Sequence, residues 1–120
     1  MIGFCSRTVL SSDNCVVAYL YGELDACSAA CLRARLTPIA RTGRDIIVDP
    51  AGLSFVDTAG LITLIDLQRE ATTAGGSLRL TKPPGLLRRL LELAGIKDMF
   101  TFVDRVPNAK SRLDLVGRAP

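Results

Sequence analysis

The sequence predicts an α/β fold, a mixed β-sheet of about five strands that begins with an N-terminal hairpin and is covered by about four helices. Two strand-like segments stand side by side at the start, separated by the turn-forming run Ser11-Ser12-Asp13-Asn14. After Asp25, short apolar runs alternate with longer segments of helical period. Glycine and proline fall between those segments, at Gly43, Gly75-Gly76, Pro83-Pro84 and Gly95. Strands alternating with helices behind a hairpin give a sheet with helices layered on it.

Phe4 to Val9 and Cys15 to Tyr21 read as the two hairpin strands. Gly22-Glu23-Leu24-Asp25 ends the second, and either Asp25 or Ser28 caps a helix running through Leu32 and Leu36 toward Ala40. Gly43 stops that helix, and Pro38 is expected to kink or shorten it. Ile46-Ile47-Val48 is a β-branched run suited to a strand covered on both faces, with Pro50 and Gly52 punctuating the residues after it. The next helix is expected from about Thr58 to Ala74. Its apolar arc is Leu61, Ile62, Leu64, Ile65, Leu67 and Ala71, and Thr63, Asp66, Glu70 and Thr73 mark its solvated side. Ser77 to Thr81 resumes a strand with Leu78 and Leu80 on one face. Pro83-Pro84 starts a third helix, to which Leu86, Leu87, Leu90, Leu91 and Leu93 give a broad apolar face. Met99 to Val103 forms a last short strand, Asn108 to Val116 a fourth helix, and Gly117 to Pro120 a frayed end. Leu24, Ile47, Val48, Leu64, Ile65, Leu80 and Leu90 are the expected core.

A chain of 120 residues fits one domain, taken as 1–120. The net charge of +3 is spread over scattered arginines and lysines, and aromatic residues make up only 5%, which argues against a nucleic-acid surface. Mean hydropathy is high at +0.30. Asp66, Glu70 and Arg88 nevertheless interrupt every apolar stretch before the roughly 18 to 20 residues a membrane helix requires. Residues 1–7 carry no readable secretory leader, so a cytoplasmic location is expected.

Cys5, Cys15, Cys27 and Cys31 form no C-x-x-C pair and have no histidine beside them, which argues against zinc. Cys27 and Cys31 lie one helical turn apart, a spacing that fits a thiol sensor, although packing as small hydrophobes is the expected role. Without any histidine the chain lacks the commonest general base, and neither a G-x-x-x-x-G-K-[ST] loop nor a G-x-G-x-x-G turn occurs. The expectation is therefore a binding protein rather than an enzyme, with no cofactor.

The stretch from Asp49 to Leu61 is the most informative. It sets Asp57 and Thr58 between a strand and a helix, where orphan N–H groups and the helix dipole favour anionic atoms. The plain reading is an N-cap. Leu61 stands three residues after Thr58, so there is no reciprocal Glu or Gln there. Ile62 is four residues beyond Thr58 on the same side. It is either exposed beside the hydroxyl or covered by a neighbouring helix.

From about Val16 to Val103 the chain resembles the STAS domains, named for sulfate transporters and anti-sigma factor antagonists. The resemblance rests on Gly22-Glu23-Leu24-Asp25, on Phe55-Val56-Asp57-Thr58-Ala59-Gly60-Leu61 within the Asp49 to Leu61 stretch, and on Gly75-Gly76-Ser77-Leu78-Arg79-Leu80. In the antagonist members, the hydroxyl residue after the aspartate is phosphorylated by a partner anti-sigma factor that is itself a kinase. The matching residue here is Thr58, with Asp25 where the family places an acidic residue near the site. Two positions depart from the pattern. Thr58-Ala59 stands where Ser-Ser is commoner, and Pro50 replaces a leucine after the strand aspartate. The branched Cβ of threonine restricts χ1, which predicts slower phosphoryl transfer.

The resemblance implies an anti-sigma factor antagonist that binds an anti-sigma factor with GHKL-type serine/threonine kinase activity and is released when Thr58 is phosphorylated. A phosphatase would reset the switch. Asp25, Asp57, Thr58, Ala59, Gly60 and Ile62 are the expected partner-binding residues, with Gly60 allowing close backbone approach at the first helical turn. The alternative is a constitutive adaptor of the same fold that binds a transporter ATPase or signalling assembly without phosphorylation.

Overall fold

A computed structural model describes residues 3–11, 15–81 and 83–104, together with the backbone of 109–114. Strands β1 (Phe4–Ser11) and β2 (Val16–Leu24) are followed by helix α1 (Ala26–Ala40), strand β3 (Ile46–Val56), helix α2 (Thr58–Thr73) and strand β4 (Leu78–Thr81). Helix α3 (Gly85–Leu93), a 3-10 turn at Lys97–Met99, and strands β5 (Thr101–Val103) and β6 (Ala109–Asp114) complete the described elements. They build one six-stranded sheet of order β5-β4-β3-β2-β1-β6. The hairpin β1–β2 is antiparallel, from Phe4 opposite Gly22 to Leu10 opposite Val16. Strands β2, β3, β4 and β5 pair in parallel.

Each parallel crossover steps one strand further in the same direction. A right-handed connection repeated that way puts every intervening helix on the same face of the sheet. Val16, Ala18, Leu20 and Leu24 of β2, Ile46 and Val48 of β3, and Leu78 and Leu80 of β4 meet Leu32 and Leu36 of α1, Leu64 and Leu67 of α2, and Leu87 and Leu91 of α3 in one core. Strand alternation sends Val17 and Ile47 to the opposite face, where Val17 pairs in register with Val9 on one side and Ile47 on the other, and all three are buried. Of the expected core, Leu24, Val48, Leu64 and Leu80 are fully buried, Ile47 is buried on that opposite face, and Ile65 and Leu90 pack half-buried at the margin. No helix among the described residues is long and apolar enough to cross a membrane.

The structure corrects four expectations. Residues 109–114, placed in a fourth helix by the sequence pattern, form β6 against the outer edge of β1, with Val9 opposite Asp114 and Ser11 opposite Ala109. An unpaired edge is a template for strand pairing that local helical spacing cannot reveal. The rest of that predicted helix, the frayed end and Ser12 to Asn14 of the hairpin turn lie outside the described residues. Strand β3 continues eight residues past the predicted Val48, to Val56. Pro50 is accommodated because β3 pairs with β4 only from Ile46 to Val48, which leaves that side free of ladder bonds, and the register to β2 shifts between Tyr19 and Tyr21.

Helix α1 runs through Pro38 to Ala40 without being shortened at the proline, and Gly43 follows at φ +81°. Finally, Thr63 is fully buried rather than solvated. Its hydroxyl donates to the Ala59 carbonyl at 3.0 Å and accepts from the Arg33 guanidinium at 2.9 Å, so its polarity is satisfied inside the helix pair.

Candidate functional site

Parallel pairing of β2 and β3 ends with Leu24 opposite Val56, so the next residue of each strand, Asp25 and Asp57, begins a helix at the same edge of the sheet. The Asp57 backbone N–H donates to the Leu24 carbonyl at 3.1 Å and ties the two helix entrances together. Both aspartates have extended backbones and act as N-caps, as short oxygen-bearing side chains do when they satisfy orphan donors.

At α1, Asp25 Oδ1 accepts from the Cys27 and Ser28 backbone N–H groups, each at 3.0 Å. Ser28 answers reciprocally, its Oγ accepting from the Asp25 N–H at 2.8 Å and donating to the Glu23 carbonyl at 2.7 Å. The two candidate caps named from sequence thus form one capping box. The Ser28 backbone N–H holds the Asp25 carboxyl below its ordinary value, aided by the Ser28 hydroxyl and the Cys27 N–H against a smaller opposing effect of desolvation.

At α2, Asp57 Oδ1 accepts from the Gly60 N–H at 3.0 Å. The cap role therefore belongs to Asp57. Thr58 is the first helical residue, with its side chain exposed. Ala59 is half-buried. Ile62 is 48% exposed, which removes the alternative that a neighbouring helix covers it. Thr58 and Ile62, one turn apart, lie together on the outer side of α2.

Gly60 faces inward. A Cβ at this position would lie 2.7 Å from both the Leu24 carbonyl oxygen and Leu24 Cγ. The close backbone approach that the sequence anticipated is made, and it is to the chain's own β2. This glycine seats the first turn of α2 against the end of that strand, and its contribution to the outer surface is to position Thr58.

Sequence reasoning missed two features of this region. Arg33 on α1 reaches Asp66 of α2 at 3.0 Å as well as Thr63, and Arg41, the C-cap of α1, reaches Glu70 at 3.3 Å, so one arginine within α1 and one at its end span the helix pair behind the N-termini. Arg33 and Asp66 are 33 positions apart, and no local pattern links them. Phe55, just ahead of Asp57, is 44% exposed and adds an aromatic ring near the same edge. Its position two residues before Asp57 was visible in the sequence, but its exposure follows from packing that no local pattern shows.

Cys15 is buried, in keeping with the packing role expected of the cysteines, and Cys5 is half-buried. Cys27 and Cys31 are both exposed, contrary to that expectation. They line a groove of about 480 Å³ with Phe4, Glu23, Asp25 and Ser28.

The geometry offers an unmodified hydroxyl at a helix entrance, an isoleucine one turn along and a carboxylate-capped helix entrance alongside. Such a surface can bind a partner and can accept a phosphate, since the first-turn N–H groups and the helix dipole favour added negative charge. The family model described as "Mlab, STAS domain" matches residues 8–104. The anti-sigma-B factor antagonist of Bacillus subtilis (strain 168) is 32% identical over 91 residues, covering 76% of this chain and 84% of that one. The anti-sigma factor antagonist SpoIIAA in its unphosphorylated form has the same fold, with a TM-score of 0.70 at 24% identity over 83% of this chain and 89% of its own. The phosphorylated form of SpoIIAA from Bacillus gives a TM-score of 0.66, also at 24% identity, over 83% of this chain and 92% of that one. A family match spanning most of the chain, a curated relative at this identity and the shared fold together establish that this chain belongs to the STAS domain family.

Proposed function

We propose that this protein is an anti-sigma factor antagonist whose unmodified form captures an anti-sigma factor and frees a sigma factor, and that phosphorylation of Thr58 turns it off. The observation that carries the reading is the exposed Thr58 at the first position of α2, with Asp57 rather than Thr58 making the cap. The hydroxyl is thereby available for modification without removing a bond that holds the helix. The relatives named above support the role, since one acts on an anti-sigma factor by name and another is known in phosphorylated and unphosphorylated forms.

In this mechanism the partner is an anti-sigma factor of the GHKL type with serine/threonine kinase activity, and a phosphatase resets the switch. The chain is the kinase's substrate and supplies no catalytic group of its own. Asp25, Asp57, Thr58, Ala59 and Ile62 meet the partner, while Gly60 sets the helix entrance from within. A phosphate adds about −1.5 to −2 charges. Beside the Asp57 carboxylate that charge is tolerated by the helix start but opposes a partner surface shaped to a neutral threonine. The switch therefore acts on binding, and the fold persists.

The test is to incubate the purified chain with ATP and a GHKL-type anti-sigma factor, then map the product by mass spectrometry. The reading expects one phosphoryl group on wild type, located at Thr58, and none on Thr58→Ala. Equal capture of a transporter ATPase by wild type and Thr58→Glu, with no phosphoryl transfer, would instead support the constitutive adaptor.

A further inference from the structure

We propose that Cys27 and Cys31 form a dithiol modification site whose oxidation to an intramolecular disulfide unwinds the first turn of α1 and so weakens partner binding at Asp25. The link to partner binding rests on the function proposed above, whereas the thiol chemistry does not. Both thiols are exposed, both line one groove, and that groove also contains Asp25 and Ser28, the two halves of the capping box.

Residues four apart on a helix stand one above the other, with Cβ atoms about 5–6 Å apart. A disulfide needs about 3.5–4.5 Å between those atoms. The intact helix therefore keeps the thiols adjacent but unbonded, and closing the bond requires the backbone between them to move. The first turn is where such movement meets least resistance. Ala26 and Cys27 are exposed, Ser28 is half-buried, and the first large side chain locked into the core is Leu32. The hydrogen bonds at stake include those from the Cys27 and Ser28 N–H groups to Asp25 Oδ1 and from the Ala29 N–H to the Asp25 carbonyl at 2.7 Å. Drawing Cys27 toward Cys31 strips the cap from Asp25 and displaces its carboxylate from the α1 entrance.

The oxidant is a low-molecular-weight disulfide. One cysteine loses its proton and attacks a sulfur of the reagent, forming a mixed disulfide and expelling one small thiolate. The second cysteine, likewise deprotonated, attacks the protein sulfur of that mixed disulfide and expels the second small thiolate. The two protons released from the cysteines leave both reagent halves as thiols. Two electrons pass from the cysteine pair to the reagent, so the exchange balances.

The experiment uses the full chain titrated with glutathione disulfide, alkylated to trap free thiols, and examined by peptide mass spectrometry and far-ultraviolet circular dichroism. The expected product is a Cys27–Cys31 disulfide accompanied by loss of helical signal from roughly four residues, one turn. Affinity for the anti-sigma factor should fall by roughly fivefold or more, within the usual range of coupling between sites. Cys27→Ser and Cys31→Ser should keep their helical signal and affinity in the same oxidant. Stable glutathione adducts without the crosslink, or a crosslink that leaves the helical signal intact, would overturn the proposal. So would a crosslink that forms and unwinds the turn but leaves affinity unchanged. If the reduced chain binds no anti-sigma factor, the function reading fails while the crosslink and the helical signal still report on the dithiol.

Discussion

Replacing Gly60 with alanine isolates the contact that seats α2 on β2. The substitution has an opposing favourable effect, because alanine exceeds glycine in helix propensity by about 1 kcal/mol. That gain is reduced here, since Gly60 is only the third residue of the helix. Against it, the new methyl would lie 2.7 Å from the Leu24 carbonyl oxygen and from Leu24 Cγ, and 3.1 Å from Leu24 Cδ2. The leucine tip can rotate away only into a filled core, Leu24 being fully buried. The carbonyl is backbone and also accepts the Asp57 N–H, so it cannot retreat without stretching that bond. Overpacking of this kind is destabilising by about 1–3 kcal/mol. The net expectation is a loss of about 1–2 kcal/mol, which for a domain of this size corresponds to a fall of roughly 4–8 °C in melting temperature. Urea unfolding followed by circular dichroism measures the difference directly. Gly85→Ala is the internal comparison, because nothing lies within 4 Å of its added Cβ and its φ is not positive. A Gly60→Ala chain as stable as wild type, or stabilised to the same degree as Gly85→Ala, would show that the contact with Leu24 does not constrain this position.

Asp57→Ala should destabilise by about 1 kcal/mol through loss of the α2 cap, and Asp57→Asn should recover most of it, both read from urea midpoints. The Asp25 carboxyl is held below its unfolded value of 3.8, so its contribution to stability is present above that pH and disappears as pH falls through the lower folded value. Asp25→Asn should therefore flatten the acid limb of the stability profile below about pH 4, whereas an unchanged acid limb would contradict the assignment. Arg33→Ala removes an exposed ion pair to Asp66 and a hydrogen bond to buried Thr63, and thermal unfolding should show a loss of about 0.5–1.5 kcal/mol.

Which parts of this molecule could be read from its sequence depended on how local their causes are. Helix α2 was legible almost to the residue, because Asp57, the apolar spacing from Leu61 and the Gly75-Gly76 break all act within a few positions. The capping box of α1 was half legible. Asp25 and Ser28 were each named as caps, but their joint use required both hydrogen bonds to be seen. Strand β3 outruns its local signal at Val48 because Pro50 and Gly52 are strand breakers only when both edges need pairing, and β4 pairs with β3 no further than Val48. Strand β6 has the local pattern of a helix because its cause is the edge of β1, far away in sequence. The burial of Thr63 is illegible for a similar reason, since polarity predicts solvent unless a partner such as Arg33 arrives from another helix. At the candidate site the inward orientation of Gly60 and the exposure of Ile62, Cys27 and Cys31 depended on packing rather than on any local pattern.

A switch at Thr58 that acts on binding rather than on folding must separate affinity from stability. Isothermal titration of a GHKL-type anti-sigma factor with wild type, Thr58→Glu and Thr58→Ala, paired with the melting temperature of each, measures both. Wild type and Thr58→Ala should bind, Thr58→Glu should lose roughly tenfold or more in affinity, equivalent to about 1.4 kcal/mol, and all three chains should melt within a few degrees of one another. Equal affinity of Thr58→Glu and wild type, or a loss of binding that tracks a collapse of melting temperature, would contradict a binding switch at Thr58.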